Sequence, residues 1–292
     1  MTNEGGCTFG FGAVNCRVTK FDLRLGDCVA GMASLKAKSI DLVVTSPPYN
    51  LGIRYGKFSD TADRKSYLDW SETWAAQIHR LLRPNGSFFL NVGAAPSNPL
   101  LPHELILRLR KFFVLQNTIH WIKAITLPNE DGGEMSRGHF KPINSARFLN
   151  DCQEYVFHLT LEGKTPLDRL ALGVPYADKS NIARWRHTRG SDLRCRGNTW
   201  FVPYETIQRR EKERPHPATF PVQLAVNCIQ LHGLTRTKRM LDPFLGLGNS
   251  AVAARRLGLT SFVGFEIDDD YLREAKRRCS RFAARSVGID SQ

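Results

Sequence analysis

The chain has 292 residues, 42% of them hydrophobic, and sets 41 Lys or Arg against 28 Asp or Glu, for a formal charge of +13 and a pI near 9.6. That length and apolar content suffice for one full α/β core carrying an insertion, and the charge favours a polyanionic partner over an acidic small molecule. No apolar run approaches the length of a membrane span, and seven cysteines without a Cys-x-x-Cys or a matching His spacing exclude a zinc framework and a disulfide scaffold, so reduced thiols in the cytoplasm and no metal are expected.

Residues 1–17 include Gly5, Gly6, Gly10 and Gly12 but no basic stretch followed by an apolar core, and read as a flexible tail, not a signal peptide. Val18 to Leu25 reads as a strand ending in Gly26-Asp27. Asp27 then lies at a strand's carboxyl end, where open α/β sheets place ligands, or caps the short helix expected over Val29 to Leu35. Ile40 to Val44, apolar around Asp41, reads as a buried strand that stops at Ser46-Pro47-Pro48-Tyr49. Two prolines make that loop stiff and extended, leaving the Pro47 carbonyl without a ladder partner, between a hydroxyl and an aromatic ring. The arrangement suits a planar group bearing an exocyclic amine. The amine lone pair is delocalised into its ring, and acceptors for both N–H hydrogens, the Ser46 side chain and the Pro47 carbonyl, would localise it while Tyr49 stacks on the base. The plainer alternative is a Pro-Pro turn with a surface tyrosine.

Asn50 to Lys65 has the polarity and glycines of a mobile lid. Tyr67, Trp70, Trp74, Ile78 and Leu81 fall at helical spacing and read as a core face. Arg83 to Gly86 reads as a turn and Ser87 to Val92 as a central strand, with a helix over about Pro102 to Lys111 after it. Val114 to Lys123 and Gln153 to Thr160 read as an antiparallel pair finishing one sheet edge, joined by an exposed loop. Between Lys179 and Arg214 ten Lys or Arg face four Asp or Glu, interleaved with Trp185, Trp200, Phe201 and Tyr204. That texture suits an insertion reading nucleic acid, with Arg184, Arg186, Arg189, Arg194 and Arg196 as DNA-binding candidates; a solvated basic loop is the alternative.

His216 to Pro221 leads into a helix ending at Gly233. Arg239 to Asp242 reads as a short strand entering Asp242-Pro243-Phe244-Leu245-Gly246-Leu247-Gly248-Asn249-Ser250, followed by an alanine-rich helix. Strand, glycine loop and helix let backbone approach a ligand and aim helix N–H groups at its anionic end. Ser261 to Ile267 reads as a strand carrying Glu266, whose carboxylate can take both hydroxyls of a ribose. The third glycine of a nicotinamide fingerprint is missing. Asp268 to Arg285 completes the pattern as an amphipathic helix.

Thr-Ser-Pro-Pro-Tyr at 45–49 resembles the catalytic motif of amino-methylating DNA methyltransferases, and Asp-Pro-Phe-Leu-Gly-Leu-Gly at 242–248 resembles their S-adenosylmethionine loop. His216-Pro217-Ala218-Thr219-Phe220-Pro221 resembles the His-Pro-x-x-Phe-Pro box opening their cofactor pocket, and Gly26-Asp27 stands where that family hydrogen-bonds the cofactor's adenine. The catalytic motif comes first and the cofactor loop last, an order that resembles the circularly permuted β group over about residues 18–286. The resemblance implies a Rossmann-like, mostly parallel sheet with an antiparallel edge hairpin and a basic target-recognition insertion. The expected division is 1–17 tail, 18–162 catalytic half, 163–214 insertion, 215–286 cofactor half and 287–292 tail. Ser46, Pro47, Pro48 and Tyr49 would be catalytic. Asp27, Thr219, Phe220, Asp242, Pro243, Phe244, Gly246, Gly248, Asn249, Ser250 and Glu266 would hold S-adenosyl-L-methionine. Serine before Pro-Pro points to cytosine N4, with adenine N6 the runner-up and a basic DNA-binding module with a vestigial cofactor site the non-enzymatic rival. Cytosine C5 chemistry is rejected, because Cys152 follows Asp151 and lacks the Pro-Cys context. Double-stranded DNA is the expected partner; a cognate restriction endonuclease and a second copy of the chain stay open.

Overall fold

Runs of apolar and β-branched residues bounded by turn formers become the strands, and segments with a single apolar stripe become the helices that cover them. The computed structural model describes residues 19–50, 52, 60–96, 98–140, 143–204 and 219–285; the N-terminal tail, half of the expected lid, the end of the expected insertion with His216 to Ala218, and residues 286–292 lie outside them. In chain order the elements are β1 (Lys20–Leu25), α1 (Cys28–Ala33), β2 (Ile40–Thr45), α2 (Arg64–Leu81), β3 (Leu82–Val92), α3 (Leu101–Leu109), β4 (Val114–Ile122), β5 (Ala124–Pro128) and β6 (Glu134–Gly138). There follow β7 (Gln153–Thr160), α4 (Ser180–Arg184), β8 (Thr199–Phe201), α5 (Val222–His232), β9 (Arg239–Asp242), α6 (Asn249–Arg256), β10 (Ser261–Glu266) and α7 (Asp269–Arg285).

One eight-stranded sheet has the order β1-β10-β9-β2-β3-β7-β4-β8, and β5 pairs only with β6. β1, β10, β9, β2 and β3 are parallel to their neighbours, β7 runs antiparallel to β3 and β4, and β8 runs parallel to β4. The expected α/β class is therefore observed. It follows from these directions that the carboxyl ends of β1, β10, β9, β2, β3, β4 and β8 share one end of the sheet with the amino end of β7. Every residue of β2 is buried, as a strand covered by helices on both faces requires. Val43 faces the cluster built by Met32, Trp74, Ile78 and Leu105, while Leu42 and Val44 face the one built by Leu224, Ile229, Ala251 and Leu272. Asp41, the acid within the apolar run, accepts from the Lys238 and Arg239 amides (3.0 and 2.8 Å) and from Arg83 (2.6 Å), so it fastens the start of β9 to β2.

Three readings need correction. The antiparallel pair β4–β7 does not finish the sheet, because β8 adds outside β4; Trp200, read among the aromatics of a nucleic-acid-reading insertion, is buried against that core, only 2% exposed. The local signal of a basic stretch lost to tertiary burial. Arg83 to Gly86 lies within β3 as a bulge, with Leu82 opposite Ile40 and Ser87 opposite Leu42. The loop after β4 contains the β5–β6 hairpin, whose register runs from Ala124 opposite Gly138 to Pro128 opposite Glu134; β6 is exposed throughout, so no alternation betrayed it.

Candidate active site

The cleft forms where strand ends from both chain extremities meet. β2 pairs with β9 through Leu42–Met240 and Val43–Leu241, and Thr45 Oγ1 donates to Asp242 Oδ1 at 2.5 Å across 197 residues of sequence. Asp242 also accepts the Phe244 amide (3.0 Å) and the Ser250 hydroxyl, so one buried carboxylate joins β2, the glycine loop and α6. Burial pushes its pKa up to about 6, against the pull of those three donors.

On the β2 side, Tyr67 Oη donates to the Pro48 carbonyl (2.9 Å), and no described residue donates to the carbonyl of Pro47. Asn50, at φ 55°, turns the chain so that its amide meets the Asp60 carboxylate at 2.7 Å. Tyr49 is not a surface residue; it is 9% exposed, with its ring at the cleft and its hydroxyl turned inward. Tyr49 Oη lies 2.7 Å from Ser46 Oγ and donates to Glu154 Oε2 at 3.1 Å. Glu154, at the amino end of β7, further accepts from Asn91 Nδ2 (3.0 Å) and Lys123 Nζ (3.3 Å). The Asn91 amide also donates to the Tyr155 carbonyl (3.1 Å), which leaves Asn91 Oδ1 buried without a protein partner. Such an orphan costs on the order of 1–3 kcal/mol, so the two acceptors decide the orientation of the amide. Gly93 makes room for this cluster: a Cβ there would come within 3.0 Å of both Glu154 Cδ and Tyr49 Cε2. Burial and the facing Glu154 carboxylate hold the Tyr49 phenol well above its usual pKa, so it keeps its proton.

On the β9–β10 side backbone dominates. Gly246 and Gly248 adopt φ of 52° and 76°, and a Cβ on Gly248 would meet Ala275 Cβ at 2.9 Å. Glu266 Oε2 accepts the Gly246 amide (2.7 Å) and Oε1 the Asp268 amide (3.0 Å), while burial raises its pKa. Asn249 Nδ2 donates to the Phe220 carbonyl (2.5 Å), and its Oδ1 is buried without a partner. Phe244 sits edge-on between Trp70 and Trp74, with centroids 5.6 and 5.7 Å away. Asp27 accepts the Ala30 amide at 2.9 Å as the N-cap of α1 and also borders the cleft, so its two readings coexist.

Both walls thus line a single crevice. It contains Ser46, Pro47, Pro48 and Tyr49 together with Asp27, Thr219, Phe220, Pro243, Phe244, Gly246, Asn249 and Glu266. Asp242, Gly248 and Ser250 stand behind the wall as its support. Trp70, read as core alone, lines the crevice as well as packing on Phe244, and Asp268 and Tyr271 join it from the start of α7 without a sequence signal. Cys28 also borders it, but burial pushes its thiol up to about 12, which removes it as a nucleophile. Arg184, Arg186, Arg189, Arg194 and Arg196 are not in the lining. Their segment leaves β7 at the opposite end of the sheet, is clipped by a Val174–Arg194 bridge and by Arg196 Nε donating to the Leu172 carbonyl (3.1 Å), and returns to the cleft end through β8.

The N6/N4 methyltransferase family, described as DNA methylase, matches residues 40–277. Among curated relatives, the type II methyltransferase M.ScaI of Streptomyces caespitosus is 30% identical over 261 residues, covering 85% of this chain and 77% of its own. The DNA adenine methyltransferase YhdJ of Escherichia coli K12 is 26% identical over 263 residues, covering 87% and 80%. Among solved structures, the cytosine-N4-specific PvuII DNA methyltransferase superposes with a TM-score of 0.64 at 18% identity, over 90% of this chain and 87% of that one. TTHA0409 of Thermus thermophilus, described as a candidate DNA modification methylase and solved with S-adenosyl-L-methionine, gives a TM-score of 0.57 at 25% identity, over 89% and 93%.

Proposed function

The chain belongs to the N6/N4 family of DNA methylases, and on that premise we propose that it transfers a methyl group from S-adenosyl-L-methionine to the N4 amine of a cytosine flipped out of double-stranded DNA at a specific sequence. The observation that carries this reading is the shared crevice, in which the Ser46 hydroxyl and the loop beneath Glu266 open on one space and the Thr45–Asp242 bond ties their strands together.

The cofactor wall fits S-adenosyl-L-methionine. Gly246 and Gly248 take left-handed backbone that brings main chain to the crevice, Asn249 Oδ1 is a buried acceptor still lacking a donor, and Glu266 has lone pairs left after its two backbone bonds. Bound there, S-adenosyl-L-methionine supplies an electrophilic methyl on a positively charged sulfur. Glu266 would accept the ribose hydroxyls, Asp27 would hold the adenine, Phe244 would supply an apolar face, and the first N–H groups of α6 would hold the carboxylate. Ser46 Oγ and the Pro47 carbonyl accept the two amine hydrogens of the target base, and Tyr49 stacks on its ring. Direct attack would form the nitrogen–methyl bond as the methyl–sulfur bond breaks, with S-adenosyl-L-homocysteine leaving and the surplus amine proton passing to solvent; no covalent enzyme intermediate is needed, and alignment supplies most of the rate.

Serine ahead of Pro47-Pro48 supports cytosine, and the order catalytic motif, insertion, cofactor loop supports the permuted arrangement. Target reading is assigned to residues 163–214, whose charge suits phosphate and base contacts. Adenine N6 is the second reading, favoured by the relative described as an adenine methyltransferase. Mass spectrometry of nucleosides from unmethylated DNA incubated with the protein and S-adenosyl-L-methionine separates them. N4-methylcytosine is expected; N6-methyladenine in its place would move the assignment, and neither product would overturn it.

A further inference from the structure

A hydroxyl at Ser46 can serve the amine only if its lone pairs, not its proton, face the cleft, and nothing in the Ser-Pro-Pro-Tyr loop itself decides which way the proton points. The surrounding cluster does. Glu154 is bonded by three groups that can only donate to it as arranged here: Tyr49 Oη at 3.1 Å, Asn91 Nδ2 at 3.0 Å and Lys123 Nζ at 3.3 Å. Lys123, whose ammonium is also 3.6 Å from Asp151, keeps the carboxylate an acceptor by placing a positive charge against it. Tyr49 has one hydroxyl proton, and it goes to Glu154. In the 2.7 Å contact between Tyr49 Oη and Ser46 Oγ the donor must then be Ser46. With its proton committed to Tyr49, Ser46 Oγ presents only lone pairs to the cleft.

We propose that Glu154 is a positioning residue that sets the direction of the chain Ser46→Tyr49→Glu154, and so makes Ser46 an obligate acceptor for the target amine. The inference deepens the transfer reading given above and rests on it. Glu154 is not in the lining of the crevice; it acts through Tyr49. A glutamine in its place would turn its carbonyl to Lys123 and its amide N–H groups to Tyr49 and to Asn91, whose side chain would flip to offer its unpartnered Oδ1 in place of Nδ2. The phenol would then accept from residue 154 and donate to Ser46, whose own proton would swing into the cleft toward the amine hydrogens. Removing the Tyr49 hydroxyl cuts the connection, so that residue 154 no longer dictates anything to Ser46.

The test measures single-turnover methyl transfer by the full chain with a tritiated donor on unmethylated duplex DNA, together with DNA affinity, cofactor affinity and thermal unfolding. E154Q is expected to slow transfer roughly 100-fold with both affinities kept, and Y49F about tenfold. The double variant is expected to return to the rate of Y49F alone, a rescue that a merely structural role for Glu154 would not produce. E154Q at the wild-type rate, or a double variant losing the product of the two factors, would overturn the proposal while leaving methyl transfer intact. A wild-type chain that transfers no methyl to DNA would overturn both. Should E154Q not fold, the conservative Y49F decides alone: slowed transfer with unchanged affinities supports the chain, and a wild-type rate refutes it.

Discussion

The two walls of the cleft are built by opposite means. The β9–β10 wall presents main chain, with an uncluttered loop, helix N–H groups and a Glu266 carboxylate already braced by two amides, all within one stretch of sequence. The β2 wall presents side chains whose properties are decided far away: Ser46 is governed by Tyr49, and Tyr49 by Glu154, 105 residues on. A backbone wall tolerates varied side chains as long as its φ angles survive, whereas a side-chain wall is only as good as its last hydrogen bond.

That contrast can be broken most strongly at Ser46. Replacing it by Ala should reduce single-turnover methylation by roughly 100- to 1000-fold, as loss of an oriented polar group at a reacting centre does, while calorimetry shows cofactor affinity unchanged. Equal loss of both would mean that the walls are not separable. At the seam between them, Asp242→Ala should lower unfolding free energy in urea by about 3 kcal/mol, because the Phe244 amide loses its partner and the Thr45 and Ser250 hydroxyls lose theirs. It should weaken cofactor binding as well, which S46A does not.

Acid sharpens the comparison through groups that neither wall exposes. Ser87 Oγ lies 2.9 Å from both His158 Nε2 and His232 Nδ1, and burial depresses the two imidazoles to about 3 and about 4. The unfolded chain therefore takes up these protons first, and the stability they contribute, full above 6.5, is lost as pH falls toward 4. Asp242 runs the other way: raised from 3.8 to about 6, it favours the folded state as pH drops through 6. Two imidazoles outweigh one carboxyl, so denaturant melts should show a net loss of about 2 kcal/mol between pH 7 and pH 5. A flat profile would place the histidines in water. The smallest effect belongs to Gly93→Ala, where the new methyl crowds Glu154 and Tyr49 at 3.0 Å. It should cost about 1 kcal/mol of stability and slow transfer several-fold, with cofactor affinity untouched; a loss of cofactor binding instead would contradict the separation of the walls.

The same contrast explains what the sequence disclosed. The β9–β10 wall of the crevice was legible because strand, glycine loop, helix and acid occur in order within a short window, and the Ser46 loop because two prolines end a buried strand abruptly. Glu154 was not, since within Gln153–Thr160 it looks like any polar residue at a strand's start, and its partners Asn91 and Lys123 are distant in the chain. Trp70 and Trp200 misled in opposite directions. A helical stripe hid the first's place at the cleft, and a basic neighbourhood disguised the second's burial at the centre of β8. The core face of α2 was readable from periodicity alone, because burial at helical spacing is a local property.

The parallel seam between β2 and β9 also sets an order in time. Ser46 and its supporting cluster leave the ribosome before the strands that complete the crevice, Arg239–Asp242 and Ser261–Glu266. A nascent chain that stops short of about residue 266 lacks the wall that closes against β2 from the β9 side, so the crevice waits on those two strands.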